Sequence, residues 1–172
     1  MSRRRQREYR MIRLVLLDNT VLTNLALVGK DGLVMRLWPT RACTTPAAMD
    51  EYRAGAASGL LPADAWTSLC VVTLTEGETV FAAGLSPRLG AGERTCLAVA
   101  IHRKGLFASD DLDARRVAQE HGVPRTGTIS ILVLCVQRGY LSRGQANTLL
   151  GEMIALGYRS PVIRLDSLLD EP

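Results

Sequence analysis

The sequence predicts an α/β fold in which a central, mainly parallel sheet is covered by helices on both faces. Three observations carry that expectation. The run Leu14-Val15-Leu16-Leu17 leads straight into Asp18-Asn19-Thr20, and an apolar run closed by turn chemistry reads as a strand buried on both faces. Short apolar runs then alternate with helix-spaced segments along the chain, the order that brings strands parallel. A chain of 172 residues also has room for one ordinary core and too little for two.

In order, residues 14–17 form the first strand. Residues 20–29 carry Val21, Leu22, Leu25, Ala26 and Val28 at helical spacing and end on a C-cap glycine. Residues 33–38 predict a short helix stopped by Pro39, and 41–45 a modest strand. Pro46 suits the first turn of a helix running to about Ala57, with Asp50 and Glu51 early in it. After a loop, Pro62-Ala63-Asp64-Ala65-Trp66 reads as a short helix start, and the β-branched segment 69–74 as a strand. Thr75 and Glu78 have capping-box spacing, as do Ser142 and Gln145. Glu93 heads a helix with Leu97, Ala98, Ala100 and Ile101 on its apolar side, and Gly105 breaks it. Residues 106–109 form a strand ending at Asp110-Asp111-Leu112-Asp113, then a helix spans 113–121. A further short strand covers 123–126, Gly127-Thr128 opens an apolar helix, and a long helix ends at Gly157. The expected division is a basic leader over residues 1–10, a single domain over 11–165 and a tail over 166–172.

Composition narrows the function classes. With 47% hydrophobic and 22% charged residues the chain is of the soluble globular type. No apolar run approaches the roughly 20 residues that cross a bilayer, and the basic start lacks a secretory signal's apolar stretch, so a cytoplasmic protein is expected. The net charge of +4 is concentrated in residues 1–10, where five arginines face Glu8. The body is therefore neutral, and bulk charge argues little for nucleic-acid binding. The leader reads as a solvated segment, with Met11 an alternative start and a nucleic-acid-binding arm the lesser reading. Cys43, Cys70, Cys96 and Cys135 form no C-x-x-C pair and read as reduced core residues. His102 and His121 stand on helix ends without matching ligand partners.

The acids carry the chemistry. Asp18 ends the first strand, where open α/β sheets place their ligands. Glu93 heads the helix before the 106–109 strand, and Asp110 and Asp111 end that strand. Glu51, beside Asp50, lies in the helix after the second strand. A single acid at a helix start is more often a cap than a ligand. Several converging on one rim repel one another unless a cation fills the cluster. An oxygen-only set of this kind suits Mg²⁺ or Mn²⁺.

These residues resemble the PIN-domain ribonucleases, and within them the VapC-like toxins. The likeness rests on Leu17-Asp18-Asn19-Thr20-Val21-Leu22-Thr23-Asn24, Leu89-Gly90-Ala91-Gly92-Glu93, Ser109-Asp110-Asp111-Leu112-Asp113-Ala114-Arg115, Gly127-Thr128 and the ending Gly157-Tyr158-Arg159-Ser160-Pro161-Val162. The resemblance implies a three-layer α/β/α sandwich and a divalent-metal ribonuclease. By position it makes Asp18, Glu51, Glu93 and Asp111 the catalytic acids. Asp50 is an alternative register for Glu51, and Asp110 an alternative ligand beside Asp111. Thr20 and Ser109 match hydroxyl positions that support the site, Asp113 and Thr128 are further supporting residues, and Arg115 reads either as a phosphate contact or as a simply solvated helix-surface arginine. The chain departs from many toxins in its Asp-Asp followed by Ala-Arg and in having Glu at position 93.

The chemistry implied is hydrolysis of RNA phosphodiesters, with one or two ions held by Asp18, Glu93 and an acid of the 110–111 pair. The expected partners are RNA, a small antitoxin protein and a second copy of the chain, through residues 69–74 or 145–156; no membrane is expected. A dehalogenase-type phosphatase is disfavoured because Thr20 stands where it needs a second Asp. A receiver-type phosphoacceptor is disfavoured because its acidic pair follows the first strand. The rival from another class is a non-catalytic RNA-binding or protein-interaction module with a degenerate site.

Overall fold

The computed structural model describes residues 14–170, so the expectations about the leader and Met11 lie outside the described residues. The fold is α/β, as the alternation predicts. The elements are β1 (Val15–Leu17), α1 (Asn19–Leu27), α2 (Asp31–Leu37), β2 (Ala42–Thr44), α3 (Pro46–Ala57), β3 (Cys70–Val71) and α4 (Glu76–Gly84). They continue as α5 (Ala91–His102), β4 (Leu106–Ala108), α6 (Leu112–Glu120), β5 (Arg125–Thr126), α7 (Thr128–Gln137), α8 (Arg143–Ala155) and α9 (Asp166–Asp170).

All five strands are parallel, in the order β3-β2-β1-β4-β5. The chain runs outward from β1 to β3, then returns to β4 on the other side of β1. The strand order therefore reverses between β1 and β4, and a ligand crevice is expected outside their carboxyl ends. Val15 pairs with Ala42 on one side and Leu106 on the other, so β1 is central and wholly buried.

Alternation along the strands builds two cores. Val15, Leu17, Leu106 and Ala108 face one cluster, with Leu22 and Leu25 of α1, Ile131 of α7 and Leu150 of α8. Leu16, Cys43 and Phe107 face the other, with Leu97 of α5 and Ala114 and Ala118 of α6. These are the outer layers of the sandwich. Helix α3 bridges them, Ala48 joining the second core and Met49 and Tyr52 the first. Leu165 is fully buried, and Leu168 and Leu169 of α9 pack against the first core.

Several local expectations change. Residues 63–68 form turns where 62–66 read as a helix start. Trp66 is only 4% exposed and sits at φ 63°, a conformation that a helix cannot continue. Its indole N–H donates to the Leu22 carbonyl (3.1 Å) and its backbone N–H to Asp31 (3.3 Å). The 69–74 strand shrinks to Cys70–Val71 at the sheet edge. Cys70 is consequently exposed, and only Cys43, Cys96 and Cys135 are buried thiols. The helix expected at 113 begins at Leu112, capped by Asp111. Among the described residues no helix is long and apolar enough to cross a membrane.

Candidate functional site

Asp18 leaves β1 and caps α1. Its Oδ1 accepts the backbone N–H groups of Thr20 (3.0 Å) and Val21 (3.2 Å) and the Thr20 hydroxyl (2.6 Å). Its Oδ2 accepts the Ser109 hydroxyl (2.5 Å). The residue is fully buried, and burial pushes its carboxyl up to about 7; the hydrogen bonds from Ser109, Thr20 and Val21 oppose the rise, and the charge of Asp110 adds to it. Ser109 Oγ also accepts the backbone N–H of Asp111 (3.1 Å). One hydroxyl thus ties the acid after β1 to the acids after β4.

The neighbouring Asp110 and Asp111 do different work. Asp110 is turned onto α1 and α7: Oδ1 accepts the Thr128 N–H (2.9 Å), and Oδ2 accepts the Asn24 amide (2.9 Å) and the Thr128 hydroxyl. The fit requires Gly127, since a Cβ there would fall 2.5 Å from Asp110 Oδ1. Asp111 caps α6 with one oxygen, Oδ1 accepting the Ala114 N–H (2.8 Å). Its Oδ2 has no hydrogen-bond partner among the described residues.

Glu51 and Glu93 follow the Asp111 pattern. Glu51 Oε1 accepts the Gly92 N–H (2.8 Å) and Glu93 Oε2 the Gly90 N–H (2.8 Å), leaving the second oxygen of each open among the described residues. A Cβ on Gly90 would lie 3.5 Å from Glu51 Oε1 and 3.7 Å from Glu93 Oε2, so both carboxylates border that glycine. Burial raises the Glu93 pKa, the Gly90 N–H lowers it, and the charges of Asp111, Glu51 and Asp113 raise it again. Acids from α3, α5 and the end of β4 therefore share one electrostatic field. Among the described residues, none of Asp18, Glu51, Glu93, Asp110 and Asp111 forms an ion pair with a basic side chain.

This donor set fits a hard divalent cation in its chemistry. It is all oxygen, none of its acids is ion-paired among the described residues, and three of its carboxylates each keep an oxygen open among those residues. Among the described residues, no three acids stand close enough together to form a coordination shell unaided.

The other candidates separate in the same way. Asp50 is exposed and pairs with Arg53 (3.7 Å), which leaves Glu51 as the rim acid of α3. Asp113 is exposed and pairs with Arg116 (2.6 Å). Arg115 spends Nη1 on the carbonyls of Ser109 (2.8 Å) and Thr126 (2.7 Å), clasping the ends of β4 and β5. His102 and His121 meet the Phe81 ring edge-on, at 5.2 and 5.7 Å. Asn24 joins the site without a role that the sequence pattern assigns it. Its signal is an amide among Val21, Leu22 and Leu25 on the buried face of α1. Tyr158 also joins the site without a role that the sequence pattern assigns it: its phenol lies against Asp110, and burial with that contact raises its ionisation well above the usual range.

The model of the family DUF3368, described as a PIN domain, matches residues 14–171. The chain belongs to the PIN-domain family, a nuclease-type fold whose members typically use divalent metals. No curated protein and no solved structure matches the chain.

Proposed function

We propose that the chain is a divalent-metal-dependent ribonuclease that hydrolyses RNA phosphodiester bonds, with Asp18, Glu51, Glu93 and Asp111 as its acids. The observation that carries this reading is the open oxygen on each of Glu51, Glu93 and Asp111. These stand on the Asp18 rim, and among the described residues none of them is ion-paired with a basic side chain. Bound Mg²⁺ or Mn²⁺ would lower the pKa of a coordinated water and offset charge on the phosphoryl oxygens.

The protein's part is positioning. Backbone N–H groups of Gly92, Gly90 and Ala114 fix one oxygen of each open acid, so little side-chain freedom is left to lose on binding. Ser109 holds Asp18 and Asp111 in register. Asp110, with both oxygens held by Thr128 and Asn24, serves as the strut that fixes the β4 end to α7. Single-stranded or looped RNA is the substrate class, since its backbone and bases are accessible.

A non-catalytic RNA-binding module is the second reading, favoured by the four hydrogen bonds that sequester Asp18. One titration separates the two. A nuclease gains thermal stability with Mn²⁺ and cuts RNA, and Asp18→Asn abolishes the cleavage. A binding module holds RNA in chelator and leaves it uncut. Equal cleavage by wild type and Asp18→Asn would overturn the nuclease reading. The narrower proposal of a toxin predicts growth arrest on expression, relieved by a small neighbouring gene; no arrest and no such neighbour would refute it.

A further inference from the structure

Beyond Asp111 the rim continues into a groove that the acid set does not account for. Two hollows, of about 350 and 400 Å³, share Asp110, Tyr158 and Arg159 as lining residues. The first opens over Asn19, Thr20 and Asp111. The second is walled by Leu112, Ile129, Ser130 and Pro161. Leu112 is 80% exposed although it begins α6, so an apolar side chain stands uncovered at the groove wall. Tyr158 is half-buried, and its contact with Asp110 holds the ring where the hollows meet. Arg159 is exposed and makes no hydrogen bond or ion pair among the described residues. Both Asp110 oxygens already accept hydrogen bonds from Thr128 and Asn24.

The volumes are those of small-ligand sites, and the lining selects among ligands. Apolar walls and one aromatic ring suit a flat heterocycle, and an uncommitted guanidinium beside them suits a phosphate. Both chemistries occur together in a nucleotide. We propose that Tyr158 and Arg159 form a nucleotide subsite for single-stranded RNA: the base next to the scissile bond stacks on Tyr158 in the larger hollow, and its phosphate meets Arg159. The Ser130 hydroxyl, on the same wall, reads the base edge and gives the groove its sequence preference. This subsite rests on the ribonuclease reading for its place beside the scissile bond, and on the groove itself for its ligand.

The test uses the full chain and a fluorescein-labelled single-stranded RNA oligonucleotide in EDTA, read by anisotropy. Tyr158→Ala and Arg159→Glu each weaken binding fivefold or more, the loss expected for one stacked base or one phosphate contact. Tyr158→Phe keeps the ring and binds within about twofold of wild type. Arg159 is exposed, so its variant carries no folding burden and keeps the test decisive if Tyr158→Ala is unstable. Unchanged affinity in Arg159→Glu and Tyr158→Ala, or no RNA binding by wild type, overturns the subsite; a groove that takes a peptide instead gives one of these results. Cleavage with Mn²⁺ is scored separately. Tyr158-dependent binding without cleavage leaves the subsite standing and removes the nuclease, whereas cleavage indifferent to both substitutions does the reverse.

Discussion

Exchanging the charge at Asp110 and at Asp111 should separate a structural acid from a functional one. In Asp111→Asn the remaining carbonyl still caps α6 through the Ala114 N–H, and Asn caps as well as Asp. Stability should change by no more than about 0.5 kcal/mol. The open oxygen is lost, however, and RNA cleavage should fall about a hundredfold or more, the usual result of removing a preorganised charge-stabilising group. Asp110→Asn reverses the pattern. Both its oxygens accept hydrogen bonds, Oδ1 from the Thr128 N–H and Oδ2 from the Asn24 amide and the Thr128 hydroxyl, so an amide nitrogen at either position meets a donor. Losing one hydrogen bond to a charged acceptor and leaving a donor unpaired should cost about 2–3 kcal/mol. Urea denaturation measures the stabilities, and cleavage of a labelled oligonucleotide with Mn²⁺ measures the rates. Normal stability with lost cleavage in Asp110→Asn, together with normal cleavage in Asp111→Asn, would refute the assignment and exchange the two roles.

Other outcomes follow from the same geometry. Asp18→Asn should abolish cleavage yet leave the metal-free protein at least as stable in a thermal melt at pH 8, because it removes a charge that burial disfavours; a fall of several degrees would contradict this. Glu78, only 2% exposed, is paired with Arg103 at 2.7 Å, and the Arg103 hydrogen bonds hold its carboxyl down at about 2 against 4.5. A depressed carboxylate stabilises above its unfolded pKa and loses that contribution as pH falls through the folded one. Between about pH 4.5 and 2, roughly 2–3 kcal/mol should disappear, discounted for Arg103's exposure; Glu78→Gln should lack that step in acid melts. A Cβ at Gly92 would lie 2.7 Å from Glu51 Oε2 and 2.8 Å from the Ala48 Cα. Gly92→Ala should therefore cost about 1–3 kcal/mol and lower cleavage by displacing Glu51; wild-type melting and rate would count against that packing.

The fold was readable where the sequence signal is local. The run before Asp18 marks the central strand, and the spacings Thr75–Glu78 and Ser142–Gln145 are capping boxes in the structure. Trp66 escaped because its conformation is fixed by Leu22 and Asp31, residues far away in the chain. Cys70 escaped because an apolar pattern does not say which strand lies at an edge. The acids were visible as a set, but their division of labour was not. Asp110 and Asp111 are adjacent, and partners more than a dozen residues away (Asn24 and Thr128) claim one of them. Glu51 likewise is fixed by Gly92, 41 positions on.

The two edges of the sheet have a consequence for how copies of this chain meet in a crowded solution. Each edge strand, Cys70–Val71 and Arg125–Thr126, is two residues long. A neighbouring chain that tried to extend the sheet at either end would find a template for only a bond or two. Short edges are a known safeguard against runaway strand addition. The apolar run that makes β1 so legible is kept at the centre, with β2 and β4 occupying both of its sides.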